Sequence, residues 1–141
     1  MSNIHHTAII EKGAYIEENV KIGPYSIIGP NEKIGKNTII HSHVIIDGHT
    51  IIGEENKIYS FSVIGANPQH LKFSGEITKL FIGDNNTIRE HVTMHPGTQV
   101  GAKKTVVGNN GFFMVGSHVA HDCVVGDSVV FVNNAVIGGH V

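Results

Sequence analysis

Two imidazoles, a carboxylate and a thiol crowd the stretch Ser117-His118-Val119-Ala120-His121-Asp122-Cys123, and a glycine–histidine pair follows at Gly139-His140. Histidine changes charge near neutral pH, so His121 or His118 suits proton abstraction from a hydroxyl. An adjacent carboxylate such as Asp122 orients an imidazole and raises its basicity when the backbone turns it back. A glycine N–H with no side chain in front of it, as at Gly139, suits an oxyanion. The same residues admit two other readings. His-x-x-His with a third ligand nearby is a zinc pattern, although Asp122 alone does not favour it, and solvated surface histidines are common in a chain with 11 of them. Spacing by itself leaves these open.

What positions the cluster is a ladder. Isoleucine occupies positions 4, 10, 16, 22, 28, 34, 40, 46, 52, 58 and 64, a spacing of six that neither a helix nor an ordinary strand produces. Hexapeptide repetition over this length predicts a parallel β-helix, in which three hexads, 18 residues, close one triangular coil. The fifth place of each hexad is usually small or β-branched, as at Ala8, Ala14, Val20, Ser26, Thr38, Val44, Thr50 and Ser62, with Glu32 and Asn56 as exceptions. The phase fails twice. The first failure follows Ile64-Gly65, where His70 and Glu76 stand at ladder places, and phase resumes at Ile82, Ile88 and Met94. The second begins near Pro96, and phase returns one residue displaced at Val107, Phe113, Val119, Val125, Phe131 and Ile137. Both breaks predict loops extruded from the coil, about residues 66–80 and 96–106, and such loops are favoured places for function.

The ladder then acts as a ruler. Val119 starts a hexad, so Cys123 takes the small inward place and reads as core, while His118 and His121 fall off the ladder and are expected to face solvent or a neighbouring subunit. One coil beyond His121 lies Gly139, about 4.8 Å away across one strand spacing, with His140 beside it. His5-His6 and His41, His43 and His49 sit among regular hexads and read as corner and surface residues.

Composition narrows the classes. The formal net charge is −2 and the basic residues are scattered, so no nucleic-acid footprint is present. No apolar run reaches membrane-spanning length, so no integral membrane segment is expected. Met1-Ser2-Asn3 does not open a signal peptide, and one cysteine excludes an internal disulfide, which leaves the cytoplasm as the expected compartment. Val141 falls in mid-hexad, as expected of the N-terminal part of a longer protein or of a natural truncation.

Phe113-Met114-Val115-Gly116-Ser117-His118-Val119-Ala120-His121-Asp122-Cys123, with Asn133-Asn134-Ala135 and Gly138-Gly139-His140-Val141, closely resembles the UDP-N-acetylglucosamine O-acyltransferase family. Ile4-His5-x-Thr7-Ala8-Ile9, Gly23-Pro24-Tyr25, Ile28-Gly29-Pro30 and Ile88-Arg89-Glu90 match as well. The resemblance implies an all-β, left-handed parallel β-helix forming a cytoplasmic homotrimer, with residues 1–141 as the helical domain and further coils and a C-terminal helical domain absent from this chain. It implies transfer of a 3-hydroxyacyl group from acyl carrier protein to the glucosamine 3-hydroxyl of UDP-N-acetylglucosamine, an early step of lipid A biosynthesis. His121 would then be the general base, Asp122 its support and the Gly139 N–H the oxyanion donor. Gln69, His70, Lys72, His118 and His140 would line the nucleotide-sugar and donor clefts. No cofactor or metal is implied.

One departure bears on the acceptor. The family often shows Gln-Asp-x-Lys in the first loop, where this chain has Gln69-His70-Leu71-Lys72, so a 3-amino nucleotide sugar becomes an alternative acceptor. The competing classes are another hexapeptide acyltransferase, using acetyl-CoA for example, a γ-type carbonic anhydrase, and a non-catalytic β-helix. The spacing of His118 and His121 fits the carbonic anhydrase poorly, and two irregular loops beside the histidines argue against a passive scaffold.

Overall fold

A computed structural model describes residues 2–141. Twenty short strands, most of them two residues long, alternate with tight corners, and no helix occurs among the described residues. Every strand pairs in parallel with one a coil away, so the strands form three sheets of seven, seven and six strands, the faces of a left-handed parallel β-helix. Regular coils step by 18 residues, as in Asn3↔Lys21 and Ile4↔Ile22. The ladder isoleucines stack along the axis, and from Ile28 to Ile64 none is more than 1% exposed. Ile82, Ile88, Met94, Val107, Phe113, Val119 and Val125 continue the stack across both interruptions. A two-residue strand has too few hydrogen bonds to persist alone. It persists here because each coil covers the apolar rung of the next.

The fifth-place residues form a second interior file. Ser26 donates from its hydroxyl to the His41 carbonyl at 2.8 Å and Thr38 to the Gly53 carbonyl at 3.1 Å. Asn56 and Asn86 stack: Asn56 Oδ1 accepts the Asn86 N–H at 2.9 Å, and each amide donates to a glycine carbonyl, Gly83 and Gly108, at 2.9 Å. Asn56 therefore fills its exceptional place with its polar atoms satisfied. Glu32 does not. Its Oε1 accepts the Thr50 N–H at 3.0 Å, its Oε2 is buried without a partner, and burial pushes its carboxyl up to about 7.

Both interruptions are extra chain carried outside the coil. The step lengthens to 30 residues where Lys57 pairs with Thr87, and to 25 where Thr87 pairs with Phe112. The chain leaves the coil after Val63–Ile64 and re-enters at Lys79–Ile82, then leaves after Thr93–Met94 and re-enters at Lys104–Val107. These two re-entry strands are four residues long and pair with each other from Lys79↔Lys104 to Ile82↔Val107, which stacks one loop on the other. Glu76 ties them further. Its Oε2 accepts the Gln99 N–H at 3.0 Å and its Oε1 the Ser74 N–H at 2.8 Å, and these bonds hold its carboxyl down near 2.

Candidate active site

Two corners, one coil apart, carry the chemistry. Asp122 and His140 both sit in left-handed backbone, at φ 60° and 66°. That conformation turns the chain sharply, and aspartate tolerates it better than most residues. The turn folds the Asp122 carboxylate back toward its own neighbour, so that His121 Nδ1 lies 2.8 Å from Asp122 Oδ2. The His140 N–H donates to the His121 carbonyl at 3.1 Å, fixing the second corner against the first.

Asp122 is held from every side. Its Oδ1 accepts the Thr98 N–H at 2.8 Å and its Oδ2 the Thr98 hydroxyl at 2.6 Å, while its own N–H donates to Thr105 Oγ1 at 2.9 Å. Its side chain is fully enclosed. Gly101 lies so close that a β-carbon there would strike the carboxylate. Burial pushes the Asp122 carboxyl up, but the Thr98 bonds, the His121 bond and the charge of His140 outweigh it and hold the group below its ordinary value. A carboxylate so held accepts from His121 Nδ1–H. That leaves Nε2 of the neutral ring with its lone pair free, the tautomer a base requires.

The His121 ring packs against Gly139, where a β-carbon would collide with Cε1 and Nε2. The one-coil ruler thus placed Gly139 correctly, and among the described residues nothing accepts a hydrogen bond from its N–H. The expectation that His121 faces solvent or a neighbouring subunit is narrowed: within this chain open solvent is ruled out, since the residue is only 8% exposed with His70 from the first loop and His140 from the next coil standing against it. The ring centroids are 4.9 Å apart for His70 and His121, 4.9 Å for His121 and His140, and 6.3 Å for His70 and His140.

His118 lies half-buried on the adjoining strand, with Nδ1 2.7 Å from Thr93 Oγ1 and its ring edge-on to His95 at 4.7 Å. Burial lowers the His118 pKa, the Thr93 bond opposes this, and His121 adds to the lowering. His95 is pushed down to about 4, chiefly by burial and then by His118 and His121. These rings stay neutral at pH 7. Gln69, His95, His118, Ala120, His121 and the backbone of Gly138 and Gly139 line one pocket of about 220 Å³. Of the residues singled out in the first loop, Gln69 and His70 reach the site, whereas Lys72 is exposed and touches it only through its N–H, which donates to His70 Nδ1 at 3.0 Å. Cys123 is fully buried with its thiol directed at the Gly138 and His121 carbonyls, a core residue as expected. Thr98, Gly101 and His95 escaped the sequence reading. They lie at or beside the second interruption, where the ladder gives no register.

Fold and site together define a hexapeptide-repeat β-helix with a histidine–aspartate pair set against a bare glycine backbone. Over all 141 residues the chain is 60% identical to an acyl-[acyl-carrier-protein]–UDP-N-acetylglucosamine O-acyltransferase of Aliarcobacter butzleri and 55% identical to that of Paraburkholderia phytofirmans. It spans about half the length of these curated relatives, 54% of each. Among solved structures, the UDP-N-acetylglucosamine O-acyltransferase of Moraxella catarrhalis superposes with a TM-score of 0.96 at 52% identity, covering 97% of this chain and 53% of that one. No family model matches. Along its whole length the chain is thus a relative of the β-helical half of UDP-N-acetylglucosamine O-acyltransferases.

Proposed function

We propose that this chain is the β-helical part of an acyltransferase that moves a 3-hydroxyacyl group from acyl carrier protein to the 3-hydroxyl of UDP-N-acetylglucosamine in lipid A biosynthesis. The observation that carries the reading is the His121 ring, bonded through Nδ1 to a fully enclosed carboxylate and packed against Gly139, where no side chain intervenes. In this reading His121 Nε2 removes the proton of the acceptor hydroxyl as its oxygen attacks the thioester carbonyl. The tetrahedral oxyanion forms beside the Gly139 N–H, which stabilises it. Collapse breaks the carbon–sulfur bond, and the departing thiolate takes the proton that His121 carried. Asp122 stays ionised throughout and stabilises the transient imidazolium. Acyl passes directly from sulfur to oxygen, so the step needs no covalent enzyme intermediate, cofactor or metal.

Gln69, His118 and His140 form the walls of the acceptor cleft, and His70 stands where it contacts the acceptor near the reacting position. Assembly as a homotrimer would close the groove beside this face, in keeping with the cytoplasmic family. No helix of the described chain is long and apolar enough to cross a membrane. The test is acyl transfer by the full-length protein with 3-hydroxyacyl carrier protein, comparing UDP-N-acetylglucosamine with its 3-amino analogue. Transfer to neither sugar refutes the reading; preference for the amino sugar assigns the departure at His70 to acceptor choice.

A further inference from the structure

The three imidazoles that meet over Asp122 form more than an acceptor wall. His70, His121 and His140 each bring one ring nitrogen into a cluster in which these nitrogens lie within 4.8 Å of one another. The rings stand nearly perpendicular, at 81° to 82° in all three pairs. A zinc-like ion bound by three histidines at about 2.0–2.1 Å holds their ring centroids roughly 5 Å apart. Two of the three separations here are 4.9 Å and the third is 6.3 Å. We propose that His70, His121 and His140 form a binding site for a divalent transition metal of the zinc type, and that a bound ion silences the base.

Beyond these distances, the proposal has support from the second layer of contacts. Metal-bound histidines characteristically direct their other nitrogen at a carboxylate. Asp122 Oδ2 serves both partners, at 2.8 Å from His121 Nδ1 and 3.8 Å from His140 Nδ1. The bond to Asp122 leaves His121 Nε2 free for an ion, and the His140 ring lies with Nδ1 on the same carboxylate side. His70 differs. Its Nδ1 accepts the Lys72 N–H at 3.0 Å, so its neutral ring carries the proton on Nε2. Metal binding moves that proton to Nδ1 and releases the Lys72 N–H to water, an exchange that is cheap at an exposed loop. The nitrogens, within 4.8 Å of one another, must also close to about 3.4 Å to reach tetrahedral spacing. His140, its side chain about half exposed, and His70, on an extruded loop, are the two groups free to make that movement. The donor set is all imidazole, which suits zinc, cobalt, nickel and copper and disfavours magnesium and calcium.

The silencing rests on the reading of His121 as base: an ion on Nε2 occupies the lone pair that the acceptor hydroxyl needs. The binding itself does not rest on it. Titration with Co2+ alone, followed by visible absorption, separates the two. One Co2+ per chain with the intense bands of a low-coordinate ion is expected. Affinity should fall at least tenfold in His70→Ala and in His140→Ala, both judged by unchanged thermal unfolding to be folded. His5→Ala/His6→Ala, which removes a half-buried and an exposed histidine near the start of the chain, should leave it intact. Loss of the bands only in the His5/His6 variant, equal affinity in His70→Ala, or no bands at all would overturn the site. In an acyl-transfer assay Zn2+ should inhibit, and His70→Ala should need at least tenfold more. Co2+ bound at the three histidines without inhibition overturns the silencing and the base role, and leaves the metal site standing.

Discussion

Thr98→Val isolates the contact that holds the proposed catalytic pair. Valine keeps the shape of threonine and replaces only the hydroxyl with a methyl group. The lost bond is the 2.6 Å donation to Asp122 Oδ2, the same oxygen that receives His121 Nδ1, while the Thr98 N–H to Oδ1 remains. Thr98 is fully buried, so no water takes the place of the hydroxyl. A hydrogen bond to an ionised group is worth about 1.5–3 kcal/mol, and leaving a carboxylate oxygen half-satisfied in the interior places the cost in that range. Thr98→Ser keeps the donor and loses one methyl group, about 1 kcal/mol. Urea unfolding should therefore rank the proteins wild type, Ser, Val. In the acyl-transfer assay the Val variant should lose about tenfold in kcat, some 1.4 kcal/mol of transition-state stabilisation, with little change in KM. The Ser variant should recover most of it. If Val and Ser are equally stable and equally active, the hydroxyl does not position Asp122 and the account of the second loop fails.

Glu32→Gln tests the one interior carboxyl with an unpartnered oxygen among the described residues. Its folded pKa of about 7 lies above the ordinary 4.5, so its stabilising contribution is complete below about pH 4.5, falls as the pH rises and is gone above about 7, a swing of about 3 kcal/mol. The difference in urea stability between wild type and variant should shift by most of that amount in the variant's favour from pH 5 to pH 8; a constant difference refutes the assignment. His121→Ala should lower the acyl-transfer rate by about 10²–10⁴-fold with the fold intact, measured by single-turnover kinetics. Gly139→Ala places a methyl group against the His121 ring and should cost about 1–3 kcal/mol of stability together with most of the activity, whereas Gly126→Ala, where a β-carbon meets nothing within 4 Å, should change neither.

The coil was legible because its period is enforced at every rung. An isoleucine every six residues has no alternative burial, so fold, register and the meeting of His121 with Gly139 followed from counting. The role of Asn56 did not. Asparagine at an inward place looked like an exception, yet its stacking on Asn86 satisfies both residues, and the extra chain between them hides that pairing from an 18-residue count.

By itself the sequence determined the repeating scaffold, its two interruptions, and which histidine lies one coil below which glycine. Those follow from local chain geometry multiplied along an axis. Only the tertiary structure decided that His70 returns from the first loop to shield His121, that Thr98 and Gly101 clasp Asp122, and that Lys72 turns only its backbone to the site. An extruded loop escapes the period of the coil, and its path is set by where its polar groups find partners. Here those partners are the neighbouring loop and one buried carboxylate.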